Sequence, residues 1–228
     1  MILARSLGVC FLVILAGTAS GQESYKVEAL KAAAPDGIAG AVRESLSDDA
    51  VRVLDAEGKP FAEIWVRKDL ESKSKPAGTA GTVQFPVLSE GELLGAVRFV
   101  GEGHDYRDQA IAPGLYTIRY GLQPVNGDHL GVSLYRDYAL LVPAAKDQKL
   151  ARLERKTLET QSAEAAGSSH PAVMLLLSAP ADTKETPSIA RDEEKNLWSV
   201  VLNVPLTVKD EKAPVPLPLQ LVISGAAM

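Results

Sequence analysis

Ile111-Ala112-Pro113-Gly114-Leu115-Tyr116-Thr117-Ile118-Arg119-Tyr120 reads as a turn opening into a strand. Pro113-Gly114 supplies the turn. From Leu115 the side chains alternate. Leu115, Thr117 and Arg119 share one face, and Tyr116, Ile118 and Tyr120 share the other. A period of two marks a strand with two different faces. Tyr116 and Tyr120 therefore read as packing residues.

The same signal recurs on both sides of this stretch. Val51–Leu54 and Phe61–Arg67 flank the Gly-containing turn Asp55–Pro60 and predict a β-hairpin. In the second arm Phe61, Glu63, Trp65 and Arg67 fall on one face, and Ala62, Ile64 and Val66 on the other. The face with Ile64 and Val66 is the expected core face. Further strands are expected at 82–86, 93–100, 138–142, 172–178, 197–204 and 217–224. Residues 71–81 and 179–195 are polar and punctuated by Gly and Pro, as loops are. Asn126-Gly127 is a turn signal within an expected loop from Tyr120 to Gly131. Proline cannot donate to a sheet ladder, so Pro205, Pro214, Pro216 and Pro218 belong at edges or strand starts. Residues 144–166 lack Gly and Pro and are rich in Ala, Lys, Arg, Glu and Gln, which predicts a helix. The expected fold is mostly β. It is an antiparallel β-sandwich, immunoglobulin-like or jelly-roll-like, with one added helix near 144–166, built as a single domain over 22–228.

The N-terminal 21 residues read as a signal peptide. Arg5 precedes an apolar run from Leu7 to Gly17, too short for the roughly 20 residues of a membrane span. Small residues Ala19, Ser20 and Gly21 follow, with cleavage expected after Gly21, or alternatively after Ala19 or Ser20. Cys10, the only cysteine, lies inside the apolar run, so the mature chain would carry no thiol. Arg5 is also the only charged residue of 1–21, so its removal takes the net charge from −5 to −6. A mildly acidic chain argues against a nucleic-acid partner, because neutralising phosphates needs a basic face. The expected product is a periplasmic or extracellular protein, soluble and without a membrane span after cleavage.

Candidate chemistry gathers in 101–138, which holds five of the six tyrosines and two of the three histidines. Tyr-Arg-Asp occurs there twice, at 106–108 and 135–137. Arg107 and Arg136 could grip an anionic ligand, with Tyr106 and Tyr135 as stacking walls. The structural account, preferred here, is a surface Arg–Asp pair beside a packed Tyr. His104, His129 and His170 all sit in expected loops. Together, or with Asp128 or Asp105, they have the chemistry of zinc or copper ligands. None stands at a fixed ligand spacing from another, so ordinary turn histidines are the plainer reading. Nucleophile-elbow, zincin, phosphate-loop and dinucleotide signatures are all absent. Glu63, Glu90, Glu92 and Glu102 could pair as hydrolytic carboxylates, but nothing singles them out.

Ile111–Tyr120 resembles the Pro-Gly-x-Tyr-x-aliphatic turn-and-strand motif of secreted β-sandwich modules, such as transthyretin-like and carboxypeptidase regulatory-like domains. The fuller segments Asp105–Pro124, Asn126–Val132 and Ser168–Ala172 are similar to small exported bacterial proteins of no assigned function. The resemblance implies the sandwich fold and carries no catalytic residue. The leading expectation is a non-enzymatic binding or accessory protein of the cell envelope, its partner a small molecule or an envelope protein. The alternatives are a periplasmic zinc or copper binder and a hydrolase without a recognisable motif.

Overall fold

The computed structural model describes residues 24–125 and 133–225. The expected signal peptide, with Cys10, and the Asn126-Gly127 turn lie outside the described residues. The alternating stretch forms β8 (Gly114–Leu122), paired antiparallel with β5 (Leu93–Phe99) and β9 (Asp137–Pro143). Beyond β5 the sheet runs through β3 (Pro60–Val66), β2 (Ala50–Leu54) and β1 (Lys26–Leu30). Beyond β9 it runs through β10 (Val173–Ser178), β13 (Val215–Ser224), β12 (Leu197–Val208) and β11 (Ser188–Asp192). β4 (Leu70–Ser72) joins β12 in parallel. β6 (Gly103–His104) and β7 (Ala110–Ile111) form a separate small hairpin. The two described helices are α1 (Gly40–Glu44) and α2 (Arg155–Ala165).

The chain is mostly β, as expected. Its main strands form one continuous sheet curled into a half-barrel. β10 turns the corner, because Val173–Leu175 pair with β9 while Leu176–Ser178 pair with β13. The curl brings the first and last strands back together, and the Tyr25 ring lies 5.7 Å from that of Trp198.

Ile64, Tyr116, Ile118 and Tyr120 line the inner face, where they meet Leu176, Leu202, Val204 and Leu219 from the opposite wall. Ile64 and Val66 thus face the core, as the alternation implies. Phe61 departs from it. Val53 pairs with Ala62 and Leu54 with Pro60, so Phe61 is an extra residue in β3 and turns inward against Phe99. Trp65 stays on the outer face. There it is buried under Ala34, Ile38, Val42 and Leu46, and its Nε1 donates to the Ala32 carbonyl at 2.8 Å.

The helix is shorter than composition suggested. α2 begins only at Arg155, and 144–154 is an irregular strap across the outer face of the sheet. Arg119 is the cause. It is fully buried, and its guanidinium grips the Asp147 carboxylate at 2.7 and 2.8 Å. The same group donates to the carbonyls of Gly91, Lys149 and Ala151. In a helix the carbonyls of Lys149 and Ala151 would sit on opposite sides of the axis, about 200° apart, beyond the grip of one guanidinium. Gly91 makes the docking possible: at φ +82° a side chain there would fall 2.0 Å from the Leu153 carbonyl oxygen. α2 itself packs on the outer face of β9 through Leu158, against Leu140 and Val142.

Residues 82–86 are a turn and not the expected strand, whereas 188–192, within an expected loop, pair as β11. No helix among the described residues is long and apolar enough to cross a membrane.

Candidate functional site

Two of the expected loops come together. Asp105 is buried at the head of the β6–β7 hairpin. Its carboxylate accepts from the backbone N–H groups of Arg107, Gln109 and Val173 and from Gln109 Nε2, all at 2.8–3.0 Å. Gln109 then bridges outward, donating to the Pro171 carbonyl and accepting from Ser168 Oγ. The hairpin bearing His104 therefore docks against the segment bearing His170. His104 is half exposed, with Nδ1 at 3.1 Å from Asp108 and Nε2 at 3.6 Å from Glu102. His170 is exposed. His129 and Asp128 lie outside the described residues. Among the described residues no group of three or more His, Cys, Asp or Glu side chains is arranged to hold a metal ion.

The two Tyr-Arg-Asp tripeptides have different surroundings. Tyr106 packs on the outer face of the sheet with Tyr138, Leu175 and Val222. Arg107 is exposed, and its guanidinium has no partner among the described residues. Asp108 is exposed, holds a left-handed backbone (φ 61°) and pairs with His104. In the second copy, Arg136 Nε donates to the Gln123 carbonyl at 2.7 Å and its N–H to the Thr82 carbonyl at 2.9 Å. Tyr135 is half-buried. Asp137 is fully buried and accepts from the backbone N–H groups of Gln84 and Phe85 and from Tyr120 Oη. Burial, and then the Asp137 carboxylate, push the Tyr120 hydroxyl far above the usual tyrosine range.

Three of the four carboxylates that could have paired for hydrolysis serve the fold, and the fourth, Glu102, is exposed beside His104. Buried Glu63 sits in a cross-strand ladder with Arg52 on one side and Arg98 on the other. Glu90 holds Arg155 at the start of α2, raising the arginine's pKa. Glu92 accepts from the Ser89 N–H.

A cleft of about 190 Å³ opens elsewhere, where β10 parts from β13. Its lining includes Pro76, Gln84, Phe85, Ser178, Leu217 and Pro218. One wall of the opening is held by Asp137 and Gln84 together. Asp137 holds the backbone of 84–85, and this aims the Gln84 amide at the end of β10. There Gln84 Oε1 accepts from the Ser178 N–H at 2.9 Å, and Nε2 donates to the Leu176 carbonyl at 3.3 Å. One side-chain amide thus stands in for a peptide group of a neighbouring strand. Ser178 Oγ also donates to Gln84 Oε1. None of Tyr106, Arg107, Tyr135, Arg136, His104 or His170 lines the cleft.

Sequence reasoning passed over Gln84 and Ser178. The legible signal was indirect: Pro180 and Pro218 mark where the β10–β13 ladder must stop. Compared with known proteins, the chain matches no family model, no curated protein and no solved structure.

Proposed function

We propose that this chain is an exported, non-enzymatic binding or accessory protein of the cell envelope. Its ligand sits in the cleft between the end of β10, the free part of β13 and residues 76–87. One observation carries the reading. None of the ten side chains lining the cleft is ionisable, so no acid, base or activated nucleophile faces a bound molecule. The Ser178 hydroxyl has the Gln84 amide as its partner, and an amide cannot accept a proton from it as a base would. The lining is mostly apolar, with a few fixed polar groups, which is the make-up of a small-molecule site. Export is supported by Arg5, the apolar run 7–17 and the small residues at 19–21. The two facing walls of the half-barrel are consistent with the sandwich that the sequence resemblance implies.

A screen of fragment-sized molecules by thermal shift tests the site, because a ligand that binds only the folded chain raises its Tm. Hits are expected for the wild type and not for Ala179→Trp, which fills the cleft. Hits that survive the plug, or an absence of hits, would refute the assignment.

A further inference from the structure

The free part of β13 has an unusual edge. Pro205 pairs with Pro216, and Asn203 pairs with Pro218. A hydrogen-bonded antiparallel pair exchanges two N–H donors, and two facing prolines have none. Pro205 and Pro216 are therefore a non-hydrogen-bonded pair, and their backbone polar groups point away from each other. By the period of two, Pro218 points the same way as Pro216. That direction is the side on which β10 pairs with Leu219–Leu221, and β10 ends opposite Leu219. Pro205 points to the other side, into the gap between the last residue paired with β11 (Val201) and the first paired with β4 (Leu206). The Ser178 contacts agree with this phase. Its N–H points away from β13, to Gln84, as expected if the next pair outward, Ala179 with Pro218, were the one needing a donor from Pro218.

The ladder therefore stops for want of a donor, and the cleft opens at the residue where it stops. Along its β13 side the cleft presents the outward carbonyl of Pro218, and the same edge continues to that of Pro216, about 6.8 Å farther along, with no outward N–H between them. We infer that this edge is an acceptor-only wall, closed to strand addition, and that the cleft takes a compact apolar molecule bringing its own hydrogen-bond donor. This rests on the cleft being the binding site. A cavity of about 150 Å³ accommodates one benzene ring, which sets the size of the occupant. An added β-strand would need donors from the edge at alternate residues and finds none.

Benzyl alcohol and anisole are isomers, one with a donor and one without. Titrated into isotope-labelled protein, benzyl alcohol is expected to shift the amide signals of Gln84, Phe85, Ser178 and Leu217. Anisole should bind about five-fold more weakly, the worth of one hydrogen bond. Equal binding would overturn the donor requirement and leave the cleft standing. Binding of neither would overturn the cleft itself. For the edge, Pro216→Val with Pro218→Val restores two outward N–H groups. The double variant should self-associate on light scattering while the wild type stays monomeric. If the pair of changes prevents folding, Pro216→Val alone restores a donor farther from β10. A folded variant that remains monomeric, or a wild type that associates through 214–218, would overturn the closed edge.

Discussion

Asp137 is buried, and three donors fill its two oxygens: the N–H groups of Gln84 and Phe85 and the Tyr120 hydroxyl at 2.6 Å. Through Asp137 that last bond links the inner core to residues 84–85, which line the cleft, and it makes stability depend on pH. The folded-state pKa of Tyr120 is raised, so its contribution is fully present below the ordinary tyrosine value near 10. It is lost as pH rises above that, because the unfolded chain ionises first. Tyr116 and Tyr138 are shifted in the same direction, both by burial. Each such phenol adds a slope of about 1.4 kcal/mol per pH unit. Urea unfolding followed by circular dichroism should show stability falling steeply above about pH 10. Tyr120→Phe should lower stability at pH 7 by about 1–3 kcal/mol, since Asp137 loses a donor, and should make the alkaline fall shallower. Equal alkaline slopes for the two proteins would count against this account. The alternation at 115–120 correctly marked Tyr116 and Tyr120 as packing residues. It could not show Asp137 as buried, because two of its partners lie 52 and 53 residues upstream. Local reading placed it in a surface pair instead.

Among elements, the strap 144–154 is where local propensity and tertiary bonding conflict most directly. Its composition favours a helix, and 155–165 obeys. The preceding turns do not, because Arg119 takes two of their carbonyls and holds Asp147, which also accepts from Thr117 Oγ1. Arg119→Met would leave the Asp147 carboxylate buried without its cation, at a cost of about 3–5 kcal/mol. The strap should then loosen. Hydrogen exchange at Lys146, Asp147 and Leu153 is expected to quicken more than exchange in β8 or β9. Unchanged protection there would show that the strap holds without Arg119. The prolines were legible for the opposite reason. A missing N–H is a property of the residue alone, so Pro205, Pro216 and Pro218 fall beside unpaired stretches of strand, as their chemistry demands. β1 and β11 were not legible. Their exposure patterns lack a clean buried face, and both are edge strands.

At the scale of the molecule, the half-barrel has two walls but one interior. β10 belongs to both walls, and Tyr25 packs edge-on against Phe61 of one and Trp198 of the other. Neither wall can expose its inner face without exposing that of its partner, so the walls should unfold together. The two tryptophans allow a direct check. Trp198 lies in the shared interior, over which Arg191 stacks at 4.9 Å, whereas Trp65 is on the outer face beneath residues 32–46. Trp198→Phe leaves only Trp65 to report, and Trp65→Phe leaves only Trp198. In urea the two fluorescence transitions should coincide with each other and with the loss of β-sheet ellipticity, once each is scaled to its own variant's stability. The chain exceeds the size at which such coincidence is routine, so the experiment discriminates. If Trp65 became exposed first, the segment over the outer face would be a separate, weaker unit. If Trp198 did so first, the curl would open at the seam between β1 and β11 before the sheet itself gave way.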